Sequence, residues 1–303
     1  MQKGKEAKKL RGKEVAGKVS DVLKLIKFSH TVFSMPFAVM SAFLAGKGMP
    51  SLRQSVIIII ALVSARSCAM AFNRLVDVKY DTHNPRTAYR ATLQQKIGSH
   101  NVWFFMMVSA AIFILSACAL NRLSLILSPM ALFIILGYSY TKRFTSLSHL
   151  VLGLALALAP IGAWVGIKGE FSIPPFIIAL AVMLWVTGFD IIYSCQDVEY
   201  DKGAGLYSLP KKVGMKSALI LSFVSHILAI LALLSLMYFT DFHIIYFIGV
   251  CLVAGLLFYE HSLVKPDDFS RVNAAFFTVN GIVSLVLMCM SLVDIFLFSA
   301  KLG

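Results

Sequence analysis

Nine apolar runs, each long enough to cross a lipid bilayer, constrain the fold of this chain more than any other feature. A helix needs about 20 apolar residues to span the hydrocarbon core. Because backbone polar groups in lipid must pair within the protein, the pattern predicts an all-α, polytopic membrane protein with nine transmembrane helices around a central cavity. The runs lie at roughly 25–46, 52–72, 101–120, 122–139, 149–168, 175–193, 217–239, 242–260 and 274–298.

Composition agrees with a membrane protein and excludes two other classes. Of the 303 residues, 58% are hydrophobic and 14% are charged, which is far more apolar than an average soluble domain. The net charge of +13 does not indicate nucleic-acid binding, because Lys and Arg fall in short segments between the apolar runs. The five cysteines lie within or beside apolar runs and lack metal-ligand spacing, which argues against a zinc site.

The distribution of Lys and Arg predicts the orientation in the membrane. With a cytoplasmic N-terminus, 22 of the 28 basic residues lie on the cytoplasmic side and five on the other, while Arg66 lies within a span. The positive-inside rule therefore predicts an internal N-terminus and an external C-terminus, in the cell (inner) membrane. Residues 1–22 are expected to form a polar, basic cytoplasmic leader, and residues 23–303 a single transmembrane domain.

A polar stripe follows the second apolar run. Asn73, Asp77 and Asp81 are four residues apart, so they share one face of a helix. Two carboxylates spaced in this way repel each other, and near a bilayer each ionised one costs up to about 3 kcal/mol. A cationic partner is therefore expected between them. The helix is expected to end at Asn84-Pro85, because the residue before a proline disfavours the helical conformation.

The same pattern returns about 120 residues later. Tyr193, Asp197 and Asp201 follow another apolar run at the matching positions. A fixed offset of this kind is typical of an internal repeat. An even number of spans separates the two runs, so both stripes are predicted to lie on the cytoplasmic face and to face each other.

Two facing acidic stripes suit magnesium and a diphosphate. Mg²⁺ keeps several waters, takes one or two carboxylates and completes its octahedron with phosphate oxygens. Basic side chains nearby would neutralise a diphosphate as it leaves. A substrate with a diphosphate head and a body among apolar helices is most simply a polyprenyl diphosphate. The basic residues expected to contact the diphosphate are Lys79, Arg86, Arg90, Lys142 and Arg143.

Four segments together resemble the UbiA family of intramembrane aromatic prenyltransferases. They are Asn-x-x-x-Asp-x-x-x-Asp at 73–81, the stretch 84–90, the Tyr-Thr-Lys-Arg sequence at 140–143 and the stretch 188–201. The resemblance covers nearly the whole chain from about residue 23. It implies a nine-span helical fold, Mg²⁺-assisted loss of diphosphate from a polyprenyl diphosphate, and attack by an aromatic ring on the allylic cation. By motif position it implies that Asp77, Asp81, Asp197 and Asp201, with Asn73, bind the metal and the diphosphate.

Three further side chains are candidate substrate-binding residues. Arg66 lies about two turns before Asn73, on the same face and roughly 10 Å deeper. A basic residue inside a span is a functional candidate by default. Arg66 is expected to bind an acceptor carboxylate or to orient Asp190 across the bundle, and the alternative is a purely structural ion pair. Tyr193 either hydrogen-bonds the diphosphate or a metal-bound water, or is an interfacial tyrosine.

Other ionisable residues of the apolar part are assigned no chemistry. His30, His226, His243 and His261 form no pair with metal-ligand spacing. Asp294 lies near the outer end of the last span, where its side chain is expected to reach water.

The leading hypothesis is Mg²⁺-dependent transfer of a polyprenyl group from polyprenyl diphosphate to an aromatic acid of the 4-hydroxybenzoate type, in ubiquinone biosynthesis. A naphthoate acid of a menaquinone route is the alternative acceptor. A hypothesis from another class is a cation-coupled secondary transporter, which would place its acids near span centres on discontinuous helices. The expected partners are the diphosphate, the acid and the lipid bilayer, without nucleic acid.

Overall fold

The structure, a computed structural model, describes residues 20–26 and 34–299, and this part of the chain is helical almost throughout. A π-helical turn, Ala274–Val279, precedes the last helix. The helices are α1 (Met35–Gly46), α2 (Leu52–His83), α3 (Ala88–Ile97), α4 (Ser99–Leu120), α5 (Arg122–Thr141), α6 (Ser148–Lys168), α7 (Ile173–Ser194), α8 (Val198–Gly203), α9 (Leu209–Val213), α10 (Met215–Ser235), α11 (Ile244–Ser262) and α12 (Asn280–Ser299).

The predicted fold class, an all-α polytopic membrane protein, is confirmed. Eight helices of the described chain are long and apolar enough to cross a membrane, and α1 is a shorter apolar helix of 12 residues. Part of the predicted first span, 25–46, lies outside the described residues. His30 and most of the predicted leader 1–22 lie outside them as well. The nine-span count and the orientation therefore stay predictions.

Local sequence explains where these helices begin and end. The backbone N–H of Gln54 donates to the Ser51 side chain at the start of α2, and that of Ser124 donates to Asn121 at the start of α5. Asn84 ends α2 in an extended conformation, with φ −92° and ψ 114°, as the following proline requires. With 32 residues, α2 is longer than a bilayer crossing needs.

Helix α7 is the most buried of the long helices and forms the centre of the bundle, in contact with α6 and α10. Gly153 of α6 lies directly against the α7 backbone. A Cβ at this position would clash with the Met183 carbonyl oxygen. Small residues at helix interfaces permit such close packing in membrane proteins, so Gly153 fixes the distance between these two helices.

The prediction that Asp294 reaches water is wrong. Its side chain is fully buried and accepts hydrogen bonds from the backbone N–H groups of His243 (3.0 Å) and Tyr246 (2.9 Å), at the start of α11. A carboxylate is stabilised at a helix N-terminus by the unpaired N–H groups and the helix dipole. Asp294 therefore caps a neighbouring helix from within the bundle.

Candidate active site

The two acidic stripes meet at one end of the bundle. The Tyr200 hydroxyl donates to the Tyr80 carbonyl oxygen at 2.7 Å, and these residues are 120 positions apart, the offset of the repeat. Asn84, which ends α2, donates its side-chain amide to Asp197 Oδ1 at 3.3 Å. The loops after α2 and α7 are thus in direct contact, so both motifs surround one region.

In the first stripe, Asp77 is paired with an arginine. Asn73 Nδ2 donates to Asp77 Oδ2 at 2.7 Å, as expected for positions four apart on a helix. Arg143 Nη2, from the loop after α5, lies 3.3 Å from Asp77 Oδ1 and donates to the Val76 carbonyl oxygen at 2.8 Å. The Arg143 guanidinium also lies over the ring of Tyr140, 4.9 Å from its centroid. The expected cationic partner of this carboxylate is therefore a guanidinium of the chain.

Asp81 lies between two further arginines. Arg74 Nη1 approaches Asp81 Oδ2 at 3.4 Å, from two turns earlier on the same helix face. Arg90 Nη1, from α3, lies 3.6 Å from Asp81 Oδ1. All three groups are largely excluded from solvent. Removal of this carboxylate would leave two buried positive charges uncompensated.

The second stripe does not lie on one continuous helix. Helix α7 ends at Ser194, a 3-10 turn follows at Cys195–Asp197, and α8 begins at Val198. Asp197 accepts both Nε (2.9 Å) and Nη2 of Arg86, in a bidentate ion pair. Arg86 Nη1 also donates to the Tyr193 hydroxyl at 2.6 Å. Arg86, which follows the first stripe, therefore connects the two motifs.

Asp201 differs from the other three aspartates. Its Oδ2 is buried and has no hydrogen-bond partner in the described part of the chain. Its backbone oxygen accepts from Lys211 Nζ at 3.1 Å and from the Leu206 N–H, which fixes the loop after α8. A buried carboxylate oxygen without a partner is costly, so Asp201 is suited to bind a cation.

The described residues could hold magnesium through one carboxylate, but not through a set of three or more protein ligands. Among residues 20–26 and 34–299, no three His, Cys, Asp or Glu side chains lie together as a metal site. The four aspartates therefore do not form one shared set of protein ligands. Magnesium needs only one or two carboxylates when waters and phosphate oxygens complete its shell. Asp201, with its unpaired oxygen, fits this requirement.

Lys142 supplies a further positive charge close to the carboxylates of the second motif. Burial lowers the pKa of its amine, but the charges of Asp201, Asp190 and Asp197 outweigh this effect, so the pKa lies above its ordinary value. In the described part of the chain its amine forms no ion pair within 4.0 Å. The pKa of Arg86 is likewise raised, because its bonds and attraction to Asp197 outweigh the lowering effect of burial. Both groups are charged donors for a diphosphate.

A cavity of about 350 Å³ extends from this region into the bundle. Its walls are mostly apolar, with Ala, Leu, Ile and Phe side chains. The polar candidates Arg66, Asn73, Asp190 and Tyr193 also line it. Arg66 Nε is buried and lacks a hydrogen-bond partner among the described residues. The cavity thus combines an apolar body with one unpaired guanidinium nitrogen.

His149 is a residue that sequence reasoning missed. Its Nδ1 lies 2.6 Å from Asp190 Oδ2, and its Nε2 accepts the backbone N–H of Leu209 at 3.3 Å. Because an N–H group only donates, Nε2 carries no proton, so a neutral imidazole donates from Nδ1 to Asp190. His149 therefore orients the Asp190 carboxylate. No local spacing connects two residues that are 41 positions apart on different helices.

Lys79 is not brought into the site. Its side chain is exposed, and it lies two residues from both Asp77 and Asp81. Residues two apart on a helix point to different faces. The other predicted site residues lie in the cavity wall or in the ion pairs described above, apart from Asp201 and Lys142, whose charges attract each other.

Comparison with known proteins gives consistent matches over most of the chain. Residues 34–282 match the model of the UbiA prenyltransferase family. The 4-hydroxybenzoate octaprenyltransferase of Francisella tularensis subsp. novicida is 28% identical over 254 residues, which are 83% of this chain and 88% of that protein.

Solved structures give the same picture. The apo structure of a UbiA homologue from Aeropyrum pernix K1 has a TM-score of 0.80 and 31% identity, covering 88% of this chain and 98% of the homologue. A UbiA homologue from Archaeoglobus fulgidus, bound to GPP and Mg²⁺, has a TM-score of 0.69 and 20% identity, covering 91% of this chain and 99% of that one. At 20% identity, the match to the Archaeoglobus homologue shows similarity of fold alone.

Proposed function

This chain belongs to the UbiA prenyltransferase family, and we propose that it transfers a polyprenyl group from a polyprenyl diphosphate to an aromatic acid of the 4-hydroxybenzoate type. One observation carries the proposal. Two acidic motifs converge beside an apolar cavity that contains the unpaired Arg66 nitrogen. The named Francisella relative, of similar length, supports the acceptor class.

The diphosphate is proposed to lie between the stripes. Asp201 would hold magnesium, and Asp197 of the second motif, with Asn73, Asp77 and Asp81 of the first, would face its waters and the diphosphate. When bound, magnesium supplies positive charge to the leaving diphosphate oxygens. The Archaeoglobus homologue, which was solved with GPP and Mg²⁺, supports this assignment.

Basic residues of the chain assist the departure of the diphosphate. Arg86 comes from the loop after α2 and Lys142 from the loop after α5, and both have pKa values above the ordinary range. Cations positioned where negative charge develops lower the barrier, because they interact more strongly with the leaving group than with the intact ester. Arg90 and Arg143 contribute indirectly, by neutralising Asp81 and Asp77.

The acceptor acid is proposed to occupy the cavity. Arg66 would pair with its carboxylate, since a guanidinium matches a carboxylate in two parallel hydrogen bonds. The ring carbon ortho to the hydroxyl would form the new carbon–carbon bond with the allylic cation and then release its proton. Asp190, which lines the same cavity and is oriented by His149, would accept that proton.

Cation-coupled transport receives less support. That alternative predicts acids near the span centres, whereas Asp81 lies two residues before the end of α2. Asp77, Asp81 and Asp197 are also paired with arginines, which would compete with a transported cation.

The proposed function is tested with purified protein in detergent micelles. The protein is incubated with a polyprenyl diphosphate of defined length and Mg²⁺, with 4-hydroxybenzoate, 1,4-dihydroxy-2-naphthoate or phenol as acceptor. Mass spectrometry of the lipid product and pyrophosphate release are measured, and a sample with EDTA is the control. We expect Mg²⁺-dependent prenylation of 4-hydroxybenzoate. Absence of product with every acceptor would refute the function, and preference for the naphthoate would correct the acceptor.

Arg66→Met tests the acceptor site separately. Loss of the carboxylate partner is expected to raise KM for 4-hydroxybenzoate by roughly 10–100-fold, as for removal of a charged hydrogen bond, with little change for phenol. An equal effect on both acceptors would show that Arg66 has a structural role.

A further inference from the structure

A buried polar cluster lies behind the aromatic wall of the cavity. It consists of Trp185, Glu260 and Asn280, none of which is more than 3% exposed. Trp185 Nε1 donates to Asn280 Oδ1 at 2.6 Å, and Asn280 Nδ2 donates to Glu260 Oε1 at 2.8 Å. These residues belong to α7, α11 and α12, so the cluster joins three helices and lies outside the site described above.

Asn280 also holds the π-helical turn that precedes it. Its Nδ2 donates a second hydrogen bond, at 3.0 Å, to the carbonyl oxygen of Ala275 in the turn Ala274–Val279. Both amide hydrogens and the amide oxygen of Asn280 are therefore used. A π-helical turn is a rare conformation that is frequent at functional sites. Trp185 and Glu260 fix the orientation of the Asn280 amide, and the amide in turn holds the π-helical turn through the Ala275 carbonyl oxygen.

The turn carries two aromatic residues into the wall of the cavity. Phe276 and Phe277 both line it. The Phe276 ring lies 4.1 Å from the Tyr193 ring, measured between centroids, and 5.1 Å from that of Phe189. Tyr193 in turn accepts the hydrogen bond from Arg86. The Asn280 cluster is thus connected, through one ring contact, to the part of the site that faces the diphosphate.

We propose that Asn280, oriented by Glu260 and Trp185, is a positioning residue that holds Phe276 and Phe277 against the reactive end of the prenyl group and thereby keeps water from the allylic cation. The inference rests on the proposed function, because it concerns the donor of that reaction. It deepens that function by assigning the control of product outcome to residues outside the acidic motifs.

The chemistry offers a direct readout. The carbon–oxygen bond of the donor breaks, and its electron pair leaves with the diphosphate. The cation then forms a carbon–carbon bond with the acceptor ring, which loses a proton, or a carbon–oxygen bond with water, which also loses a proton and gives prenyl alcohol. Aromatic faces stabilise a cation and exclude water from it. The ratio of alcohol to prenylated acid therefore reports the placement of the wall.

This ratio separates positioning from stability. A substitution that only destabilises the fold reduces the amount of active protein, so both products decrease together and their ratio is unchanged. A substitution that shifts the wall changes the ratio in the protein that remains folded.

The experiment compares Asn280→Leu, Glu260→Gln and Ser291→Ala with the unchanged protein. Leu resembles Asn in size but forms no hydrogen bond. Gln preserves the acceptor Oε1 and replaces Oε2, which has no hydrogen-bond partner among the described residues and lies 3.9 Å from His226 Nδ1. Ser291 is a buried, hydrogen-bonded residue of α12 remote from the π-helical turn, and serves as the matched control.

We expect Asn280→Leu to raise the ratio of alcohol to prenylated acid roughly three- to tenfold, the range that loss of an aromatic contact to a cation represents. Glu260→Gln and Ser291→Ala should leave it unchanged. An unchanged ratio in Asn280→Leu overturns the inference. If that variant does not fold, Glu260→Met provides the test, because it removes the acceptor and leaves Asn280 in place. Lack of any product from the unchanged protein would instead count against the proposed function.

Discussion

The two acidic motifs have similar sequences but different surroundings. In the first, Asp77 and Asp81 lie on the uninterrupted helix α2, and arginines neutralise both. In the second, the helix breaks before Asp197, and Asp201 retains a buried oxygen without a partner in the described chain. Aspartates at matching positions of the two motifs therefore have different partners and are expected to have different roles. Both aspartates of the first motif are held by contacts within the protein, whereas in the second Asp197 is held by Arg86 and Asp201 retains capacity for a ligand.

The largest expected effect is at Asp201, whose Oδ2 has no hydrogen-bond partner in the described chain. Asp201→Asn is predicted to reduce turnover by about 10²–10³-fold, the usual cost of removing one group that stabilises charge in the transition state. Because Asp201 Oδ2 has no partner in the described chain, the midpoint of thermal unfolding should barely change. Turnover is measured over a Mg²⁺ titration, where half-saturation should move to higher concentration.

Glu199→Gln is the matched control for this variant. Glu199 belongs to the same short helix and forms an exposed ion pair with Lys202. Its loss should change neither turnover nor Mg²⁺ dependence. Equal effects of both substitutions would remove the distinction that singles out Asp201.

A second prediction concerns the first motif, whose aspartates are paired with arginines. Asp81→Asn leaves Arg74 and Arg90 buried without their carboxylate, so it should lower the free energy of unfolding by about 3 kcal/mol. Asp81→Glu, which keeps the charge, should lose much less. Thermal unfolding in detergent is monitored by tryptophan fluorescence. The contrast between the motifs would fail if Asp81→Asn were as stable as Asp201→Asn.

Lys142 provides a third prediction, since it faces carboxylates of the second motif. Lys142→Met should raise KM for the prenyl diphosphate by roughly tenfold, the cost of one charge-assisted hydrogen bond. Lys142→Arg should restore most of the affinity. An unchanged KM in the Met variant would place Lys142 outside the diphosphate site.

The pH dependence of that KM follows from the direction of the Lys142 shift. Its pKa is raised, so its charge is fully present below the ordinary lysine pKa of about 10.4 and is lost only at higher pH. The difference in KM between the unchanged protein and Lys142→Met should therefore be constant from about pH 6 to 9. A difference that disappears within that range would contradict the assigned shift.

The smallest effect is expected at Lys79. Although Lys79 lies between the two aspartates in sequence, its side chain is exposed and faces away from them. Lys79→Met should change turnover and KM less than about twofold, as for most surface substitutions. A loss comparable to that of Lys142→Met would show that sequence proximity was the better guide.

Sequence was sufficient for the features that depend on local rules. Helical periodicity placed Asn73 next to Asp77, and the proline rule placed the end of α2 at Asn84. Lys79 could have been excluded by the same periodicity, because positions two apart do not share a face. The partners of the carboxylates depend on contacts between distant segments, such as Arg86 with Asp197 and His149 with Asp190, and no local pattern specifies them.

The length of α2 has a consequence for how the protein meets its substrates. At 1.5 Å per residue, its 32 residues extend about 48 Å, against a hydrocarbon thickness of about 30 Å. Because the acidic stripe occupies the last three turns of this helix, after a stretch long enough to cross the hydrocarbon, we expect it to lie at the level of the phospholipid headgroups. Under the proposed function, a lipid-anchored diphosphate lies at that same depth, so it would reach the carboxylates by lateral diffusion, and its two-dimensional density in the leaflet would govern the rate of encounter. A thicker bilayer would submerge the stripe, so activity is expected to depend on membrane thickness.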